Sequence, residues 1–585
     1  MQEFWQFKMN ISYLFHSELL KKLTQQNSNS LDFVILATGG FDTNDKQSMS
    51  LLLQETVRVL KDNGIVFIQG IPKFLPELGV FLEKYLTFKY WLAVKSTPIE
   101  ISPLPSVHAA VLLFTKGKGR FNINKVRLPH QYCKACNRTL KDWGGKAHLM
   151  NPDGYVISDV IKDLPQADNY SQISKPLFDI LIEMLDVFYE KKGLQEPSGI
   201  VGPLEALPWK NDLAFRHNKQ SGLTSFQSSP TLLKTGSDGL PKELQLQAKK
   251  HNHKYTGPID HDISTEKLFN VIHQGDAIEI LSQYPDESVD LAFADPPYNL
   301  DKDYSIYDDE QAGHKYIEWC NAWLTEYIRI LKPNGSLFVL NLPRWALYHA
   351  SFLNRFLYFQ NWIVWDALSE PRGKIMPAHY ALLFYTKDPE NFTFNYEAVS
   401  PVDARHYCLR TSCIRKRKKS GDDDKSQLND IWWDIHRIKH QRDRDYHPCQ
   451  LPEELMSRII QLATNPGDVV LDAFGGTGTT PLTAFQLGRR YIAIDIDPNY
   501  VTIMQDKITH VANGGKLQRK SVKKSSRNVT KKALQLELRK LSLDLGRLPT
   551  PEDVKERSQY ALELFLEIFP TWSKALKAAK LEIIS

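Results

Sequence analysis

The chain is written twice. LDFVILATGGFD from Leu31 aligns with VDLAFADPPYNL from Val289, LKDNGIVFIQGIPKF from Leu60 with LKPNGSLFVLNLPRW from Leu331, FLEKYLTFKYWLAV from Phe81 with FLNRFLYFQNWIVW from Phe352, and VHAAVLLFTKG from Val107 with PAHYALLFYTKD from Pro377. Further on, QYCKACNRTLKDWGGK at Gln131 falls opposite HYCLRTSCIRKRKKSG at His406, and ISDVIKDLP at Ile157 opposite LNDIWWDIHRI at Leu428. Agreement in order, spacing and residue class makes chance a poor explanation and predicts one architecture built two times. Each copy alternates short β-branched runs with helical segments, the pattern of an α/β fold with parallel strands. The copies differ at one tip: Asp295, Pro296, Pro297 and Tyr298 of the second face Ala37, Thr38, Gly39 and Gly40 of the first. The first copy keeps the fold and lacks the acid, prolines and ring.

A chain of 585 residues exceeds one core and divides into domains. Residues 1–197 read as the first repeat and 258–512 as the second. A Ser/Pro/Gly/Lys-rich stretch, 198–257, reads as a linker between them. Residues 513–530 form a basic linker, and 531–585 a separate helical unit. No apolar run reaches the ~20 residues needed to cross a bilayer, so no membrane partner is expected. The N-terminus lacks the pattern of an export signal. Six cysteines in so long a chain make no disulfide framework, which suits a reducing, cytoplasmic compartment. The net charge of +5 is mild but clumped, in RKRKK at Arg415 to Lys419 and again from Lys516 to Lys532. Such runs are either solvated loops or footprints for a polyphosphate partner.

Two turns carry chemistry. SVDLAF reads as a buried strand that stops at Asp295-Pro296-Pro297-Tyr298, since proline removes ladder donors. In NPGDVVLDAFGGTGTTPLTAFQLGRRYIAIDIDP, DVVLDAF reads as a strand containing Asp472, and Phe474, Gly475, Gly476, Thr477 and Gly478 form a glycine-rich turn. PLTAFQLG is a helix ending at Gly488, and RYIAIDI a second strand. Such a turn brings backbone amides close to a ligand at a helix N-terminus. Asp495, about 20 residues beyond the first glycine, ends the second strand, where a carboxylate can accept ribose hydroxyls. The short glycine spacing favours a nucleoside ligand over a dinucleotide.

Together, DPPY and FGGTG resemble the amino-methylating, S-adenosylmethionine-dependent DNA methyltransferases. YHPCQLPEELMSRII from Tyr446 is similar to the segment that precedes their cofactor loop, and QGDAIEIL at Gln274 to their GD segment. The order of motifs is that of the β class, over roughly Asn270 to Lys507. The resemblance implies a Rossmann-like methyltransferase fold, duplicated with a degenerate first copy. It implies S-adenosyl-L-methionine held by Asp276, Asp472, the Phe474–Gly478 turn and Asp495, and double-stranded DNA as substrate. Asp295 and the Pro296 carbonyl would accept the two N–H bonds of an exocyclic amine, Pro297 would stiffen the turn, and Tyr298 would offer an exposed face to an extruded base. An aspartate in the first position resembles adenine-N6 members more than cytosine-N4 members. A restriction endonuclease partner would be a separate chain, and target recognition is expected within about residues 390–445. The tail, with LGRLPTPEDV and FPTWSKALKAAK, resembles the helical repeat found beside homing endonucleases, which implies an accessory DNA-binding module. An RNA or protein-amide methyltransferase would share both turns, and a non-catalytic DNA-binding regulator would fit the first copy alone.

Cys133 and Cys136 are spaced C-x2-C, and Cys408 and Cys413 stand at the matching place in the second copy. Zinc takes four soft ligands in two close pairs. If the copies pack about a pseudo-twofold axis, the pairs meet as a structural zinc site. Small buried thiols are the alternative. WWD at Trp432 to Asp434 reads as core.

Overall fold

The computed structural model describes residues 10–38, 46–99, 103–117, 123–140, 150–162, 164, 172–190, 197–207, 268–299, 312–367, 373–421, 424–438, 450–515, 531–560, 562–569, 571–579 and 581. Two mixed sheets and a helical tail account for them. The first sheet contains β1 (Asn10–Tyr13), β2 (Leu31–Ala37), β3 (Leu60–Gly70), β4 (Thr87–Ile99) and β5 (Ser106–Thr115). A small ribbon of β6 (Arg127–Leu128) and β7 (Tyr155–Val156) precedes β8 (Val160–Ile161) and β9 (Ser198–Gly202), which return to that sheet. The second contains β10 (Val271–Gln274), β11 (Val289–Ala294), β12 (Leu331–Asn341), β13 (Tyr358–Asp366) and β14 (His379–Thr386). After a second ribbon, β15 (Val402–Asp403) with β16 (Lys425–Ser426), come β17 (Ile431–Trp432), β18 (Val469–Asp472) and β19 (Arg490–Asp495).

Strand order is β1-β9-β2-β3-β5-β4-β8 in one sheet and β10-β19-β18-β11-β12-β14-β13-β17 in the other. From β2 and β11 onward the two agree strand for strand. Agreement extends to register. Leu31 pairs with Leu60 and Val289 with Leu331, each followed by a bulge. Ile65 faces Thr115 as Ser336 faces Thr386, and Ala93 faces Val160 as Val364 faces Ile431. The apolar runs that form these strands are buried on both faces, as parallel strands under helices must be.

One expected boundary is corrected. The stretch from Ser198 does not begin as linker: SGIVG is β9, parallel to both β1 and β2. Its glycine reads as loop composition but serves packing, since a Cβ on Gly199 would lie 2.3 Å from the Phe33 ring. The rest of that stretch, 208–257, lies outside the described residues, as do Gly39 and Gly40.

The halves share one continuous hydrophobic core. Trp91 and Trp362, equivalent positions, stack at 3.7 Å and 8°. Helix Leu75–Glu83 approaches helix Pro343–Leu353 closely because Gly79 presents no side chain to Leu347. Two equivalent buried aspartates reach across in opposite directions. Asp159 accepts from the amides of Ala378 and His379, at 2.8 and 3.1 Å. Asp430 accepts from the Val107 amide at 2.8 Å and the Ser106 hydroxyl at 2.6 Å, and lies 2.9 Å from His108 Nδ1. Their own amides donate to Met376 and Pro105 carbonyls, both at 3.1 Å.

The tail forms a unit of its own. Helices Lys531–Leu545, Pro551–Arg557, Leu562–Ile568 and Trp572–Ala578 enclose Leu534, Leu538, Val554, Phe565 and Phe569. A capping box between Thr550 and Asp553 starts the second helix. Among the described residues no helix is long and apolar enough to cross a membrane.

Replacing Asp430 with alanine leaves the Val107 amide, the Ser106 hydroxyl and His108 without their shared partner at the interface between the halves. At about 1–3 kcal/mol per stranded group, chemical denaturation of Asp430→Ala should show a loss of several kcal/mol. A loss within experimental error would refute the bridging role.

Candidate active site at the carboxyl edge of the second sheet

Four parallel strands set the site. β11 lies against β18 with Phe293 opposite Asp472, β18 against β19 with Asp472 opposite Ala493, and β19 against β10 with Asp495 opposite Gln274. The strands therefore end level, and their last residues and turns share one edge: Asp295, the Phe474–Gly478 turn, Asp495 and Asp276. The chain leaves β11 for β12 on one side and leaves β18 for β19 on the other. Divergent crossovers open a crevice between those strand ends, the place where doubly wound sheets bind ligands. Neighbouring strands are about 4.8 Å apart, so Asp295 and Asp495 stand on strands roughly 10 Å apart.

The acidic turn is held from behind. Tyr316 Oη donates to the Pro297 carbonyl at 2.6 Å, and Trp345 Nε1 to the Tyr298 carbonyl at 2.8 Å. Tyr316 in turn accepts from Asn341 Nδ2 at 3.1 Å, and that amide also points at His349 Nε2, 3.0 Å away. Burial pushes His349 down to about 3, so its imidazole is neutral and can accept. The ring of Tyr298 departs from expectation. It is only 5% exposed, with its hydroxyl donating to Asp295 Oδ1 at 2.5 Å and Tyr380 6.1 Å away. Packing against the Trp345–Tyr380 side of the crevice draws in a ring that sequence places outside.

Two glycines of the second turn also serve packing. A Cβ on Gly475 would lie 2.9 Å from Met504 Sδ, and one on Gly478, whose φ is +85°, 2.6 Å from Met504 Cγ. These two glycines make room for helix Pro498–Ala512. Gly476 faces the other way, its amide donating to Asp495 Oδ2 at 2.7 Å. Asp495 Oδ1 also accepts from the Asp497 amide at 2.8 Å. Asp472 binds Thr480 Oγ1 at 2.5 Å and the Phe474 amide at 2.9 Å. Burial raises both carboxyls to about 6, opposed by those donors. Lys507 Nζ donates to the Thr477 carbonyl at 2.7 Å. Asp276 caps helix Ala277–Leu281 through the amides of Ile278 and Glu279. The half-buried Phe474 meets Trp323 and Trp319 of helix Gly313–Ile330 edge-on, at 5.2 and 5.7 Å.

One buried hydroxyl joins the two turns. Tyr327 Oη donates to the Phe293 carbonyl at 2.9 Å and accepts from the Ala473 amide at 3.0 Å. Sequence reasoning missed Tyr316, Tyr327, Asn341 and Trp345. The available signal was polar-tipped aromatics within an apolar helical stripe, Tyr316, Cys320, Trp323 and Tyr327. The HPC of HPCQLP lies outside the described residues; its continuation, Pro452, starts helix Glu453–Ala463. Trp432 is core as expected, with the Arg458 guanidinium 5.0 Å from its ring and paired to Asp434.

The second cluster of candidate residues also assembles. Cys133, Cys136, Cys408 and Cys413 bring their sulfurs within 4.8 Å of one another.

A crevice of this form, between an acidic turn and a glycine turn, belongs to the class of α/β domains that hold nucleotide-like ligands at strand ends. Residues 289–506 match the DNA methylase family model, and residues 529–582 the homing endonuclease associated repeat. Type II methyltransferase M.HpaI of Haemophilus parainfluenzae is 34% identical over 41% of this chain and 74% of its own. DNA adenine methyltransferase YhdJ of Escherichia coli (strain K12) is 33% identical over 40% and 79%. Type II methyltransferase M.BamHI of Bacillus amyloliquefaciens is 40% identical over 39% of this chain, which spans about half of that relative, 54%. Among solved structures, the PvuII DNA methyltransferase (cytosine-N4-specific) aligns with 42% of this chain and 92% of its own at 20% identity, with a TM-score of 0.30. The chain belongs to the N6/N4 DNA methylase family and carries a homing endonuclease associated repeat at its C-terminal end.

Tyr327→Phe leaves a buried carbonyl and a buried amide without their shared partner. At about 1–3 kcal/mol for each orphaned group, denaturant melts should show a loss of about 2–6 kcal/mol, and an unchanged midpoint would contradict the bridge.

Proposed function

We propose that the crevice transfers a methyl group from S-adenosyl-L-methionine to the exocyclic amine of a base swung out of double-stranded DNA, adenine N6 in the first instance. The observation that carries this reading is the level placement of Asp295, the glycine turn and Asp495 on adjoining strand ends. Family membership and the aspartate at the head of DPPY support it, as does the similarity to the DNA adenine methyltransferase YhdJ.

Fit to the cofactor rests on the donors present. Asp495 offers a carboxylate beside the Gly476 amide, Asp276 lies at the next strand end, and Phe474 presents a half-buried ring at the crevice. The cofactor, when bound, supplies an electrophilic methyl carbon. Everything else is done by the chain. An exocyclic amine is a weak nucleophile because its lone pair is delocalised into the ring. The Asp295 carboxylate and the Pro296 carbonyl accept its two N–H bonds and draw the nitrogen toward tetrahedral geometry. As the N–C bond forms and the methyl–sulfur bond breaks, leaving a neutral thioether, positive charge develops on nitrogen beside the fixed Asp295 carboxylate. That carboxylate accepts the amine proton and passes it to solvent. Preorganised acceptors lower the barrier most there. Tyr316 and Trp345 hold the turn, so the acceptors do not reorganise during transfer. Tyr298 must release Asp295 before its ring can stack on the extruded base, which adds a gating step.

The first half is a degenerate methyltransferase copy that serves as scaffold, since β2 ends at Ala37 without an acid and no glycine turn follows β9 among the described residues. The domains run 1–207 for that copy, 258–512 for the catalytic copy and 531–585 for the helical DNA-binding module, joined by linkers. The relatives' names as Type II methyltransferases support a place in restriction and modification, with the nuclease on a separate chain.

Asp295→Ala should lower methyl transfer to duplex DNA by at least a thousandfold while duplex affinity stays within a few-fold; normal turnover would refute the assignment. Cofactor affinity should rise with pH through about 6, as the Asp495 carboxyl ionises and gains acceptor strength. Asp495→Asn should flatten that step and weaken binding about 10–100-fold, the equivalent of a charged hydrogen bond. Calorimetry across pH 5–8 (~one unit either side of the step, and beyond) checks it, and a step that survives in the variant would reassign it.

A further inference from the structure

We propose that Cys133, Cys136, Cys408 and Cys413 bind one structural zinc ion that locks the two halves together and anchors the basic helix Thr411–Ser420. This cluster is separate from the methyl-transfer site and does not depend on it.

Each half brings two thiols by its own local device. In the first, a tight hairpin pairs Tyr132 with Thr139, and Asn137, at φ +51°, turns the chain directly after Cys136. The Cys133 amide donates to the Arg138 carbonyl at 2.7 Å, closing the hairpin so that both thiols face one way. In the second half Cys408 precedes the helix and Cys413 lies in its first turn. Backbone and side chains stitch the pieces together: the Lys134 amide donates to the His406 carbonyl at 3.0 Å, and Arg410 Nη1 to the Thr139 carbonyl at 2.8 Å.

Spacing identifies the ligand. Sulfurs on a tetrahedral zinc at ~2.3 Å are about 3.8 Å from one another. Across the halves, Cys133 and Cys413 sulfurs stand 3.7 Å apart, as do those of Cys136 and Cys408. A disulfide needs about 2.05 Å. Four soft donors with no carboxylate or imidazole among them select zinc over harder cations. The surroundings suit the double negative charge of a zinc tetrathiolate. The Cys408 amide points at Cys133 Sγ, 3.4 Å away, and the fully buried Arg417 guanidinium lies 3.7 Å from Cys413 Sγ. The nearby histidines are engaged elsewhere, His130 with the Asn151 carbonyl and His406 with Asp424.

Anchoring has a directional consequence. Cys413 and Arg417, one turn apart, face inward, and Arg417 packs over the Tyr407 ring at 4.4 Å. Arg415, Lys416, Lys418 and Lys419 are left exposed on the same ten-residue helix. The ion thus fixes the heading of a cationic face that an untethered loop would not hold.

The full chain, purified with reductant and without chelator, should carry one zinc per molecule by elemental analysis, and cobalt(II) exchanged into it should show thiolate charge-transfer bands. Cys136→Ser, at the half-buried position, should lose at least tenfold in zinc affinity; Cys136→His should regain most of it, and Cys320→Ala should match the parent. Stripping zinc should raise hydrogen exchange in residues 132–140 and 404–421 while β11, β12 and β18 stay protected. Metal-free protein that takes up neither ion, or a thiol titration finding the four cysteines oxidised in pairs, would overturn the site.

Discussion

A single tyrosine hydroxyl stands where the two functional turns would otherwise come apart. At the carboxyl edge of β11 and β18 the chain turns away on both sides, so ladder partners run out just where the backbone must be most rigid. Tyr327, fully buried, closes that gap by serving both strands at once, as donor to Phe293 and acceptor from Ala473. Burial and the nearby Asp472 hold its phenol well above its ordinary value, so it remains a donor. Around it, Trp323 and Phe474 fix the glycine turn, and Tyr316 and Trp345 fix the acidic one. Rigidity of that order is what an electrostatic mechanism requires, because acceptors that must move during the reaction lose their advantage.

The second half does not stand alone. Its outer face is covered by the first half through Trp91 on Trp362 and through the reciprocal aspartates Asp159 and Asp430. Each aspartate binds its own neighbouring strand and the facing half, so register within a sheet and docking between sheets are set by the same residue. The first half thus contributes to the second half's structure. Across the same interface Arg344 pairs with Glu83 and Leu347 packs on Gly79, which holds the helix Pro343–Leu353, and hence Trp345, behind the acidic turn.

Much of this was legible in the sequence. Repeats of apolar runs at matched spacing marked the two sheets, because buried parallel strands tolerate little else, and strand-turn-helix punctuation marked both turns. The paired cysteines could be matched across the copies before any geometry was known. The features that escaped did so for physical reasons. β9 hid because Gly199, which Phe33 requires, made the strand look like loop. That Gly475 and Gly478 also make room for Met504 escaped because nothing in a sequence marks Met504 as their neighbour. Tyr298 was placed outside because burial depends on Trp345 and Tyr380, distant in sequence. Tyr327 is one tyrosine on an amphipathic helix until the fold puts two strand ends beside it.

The proposed function makes one edge of one sheet a methyl-transfer site for DNA. Incubating the full chain with methyl-labelled S-adenosylmethionine and duplex DNA, then digesting the product to nucleosides, tests this most directly. Label should co-migrate with N6-methyldeoxyadenosine. Label in N4-methyldeoxycytidine would keep the site and correct the base, whereas label found in RNA or protein alone, or none in any acceptor with cofactor bound, would contradict a DNA methyl-transfer role.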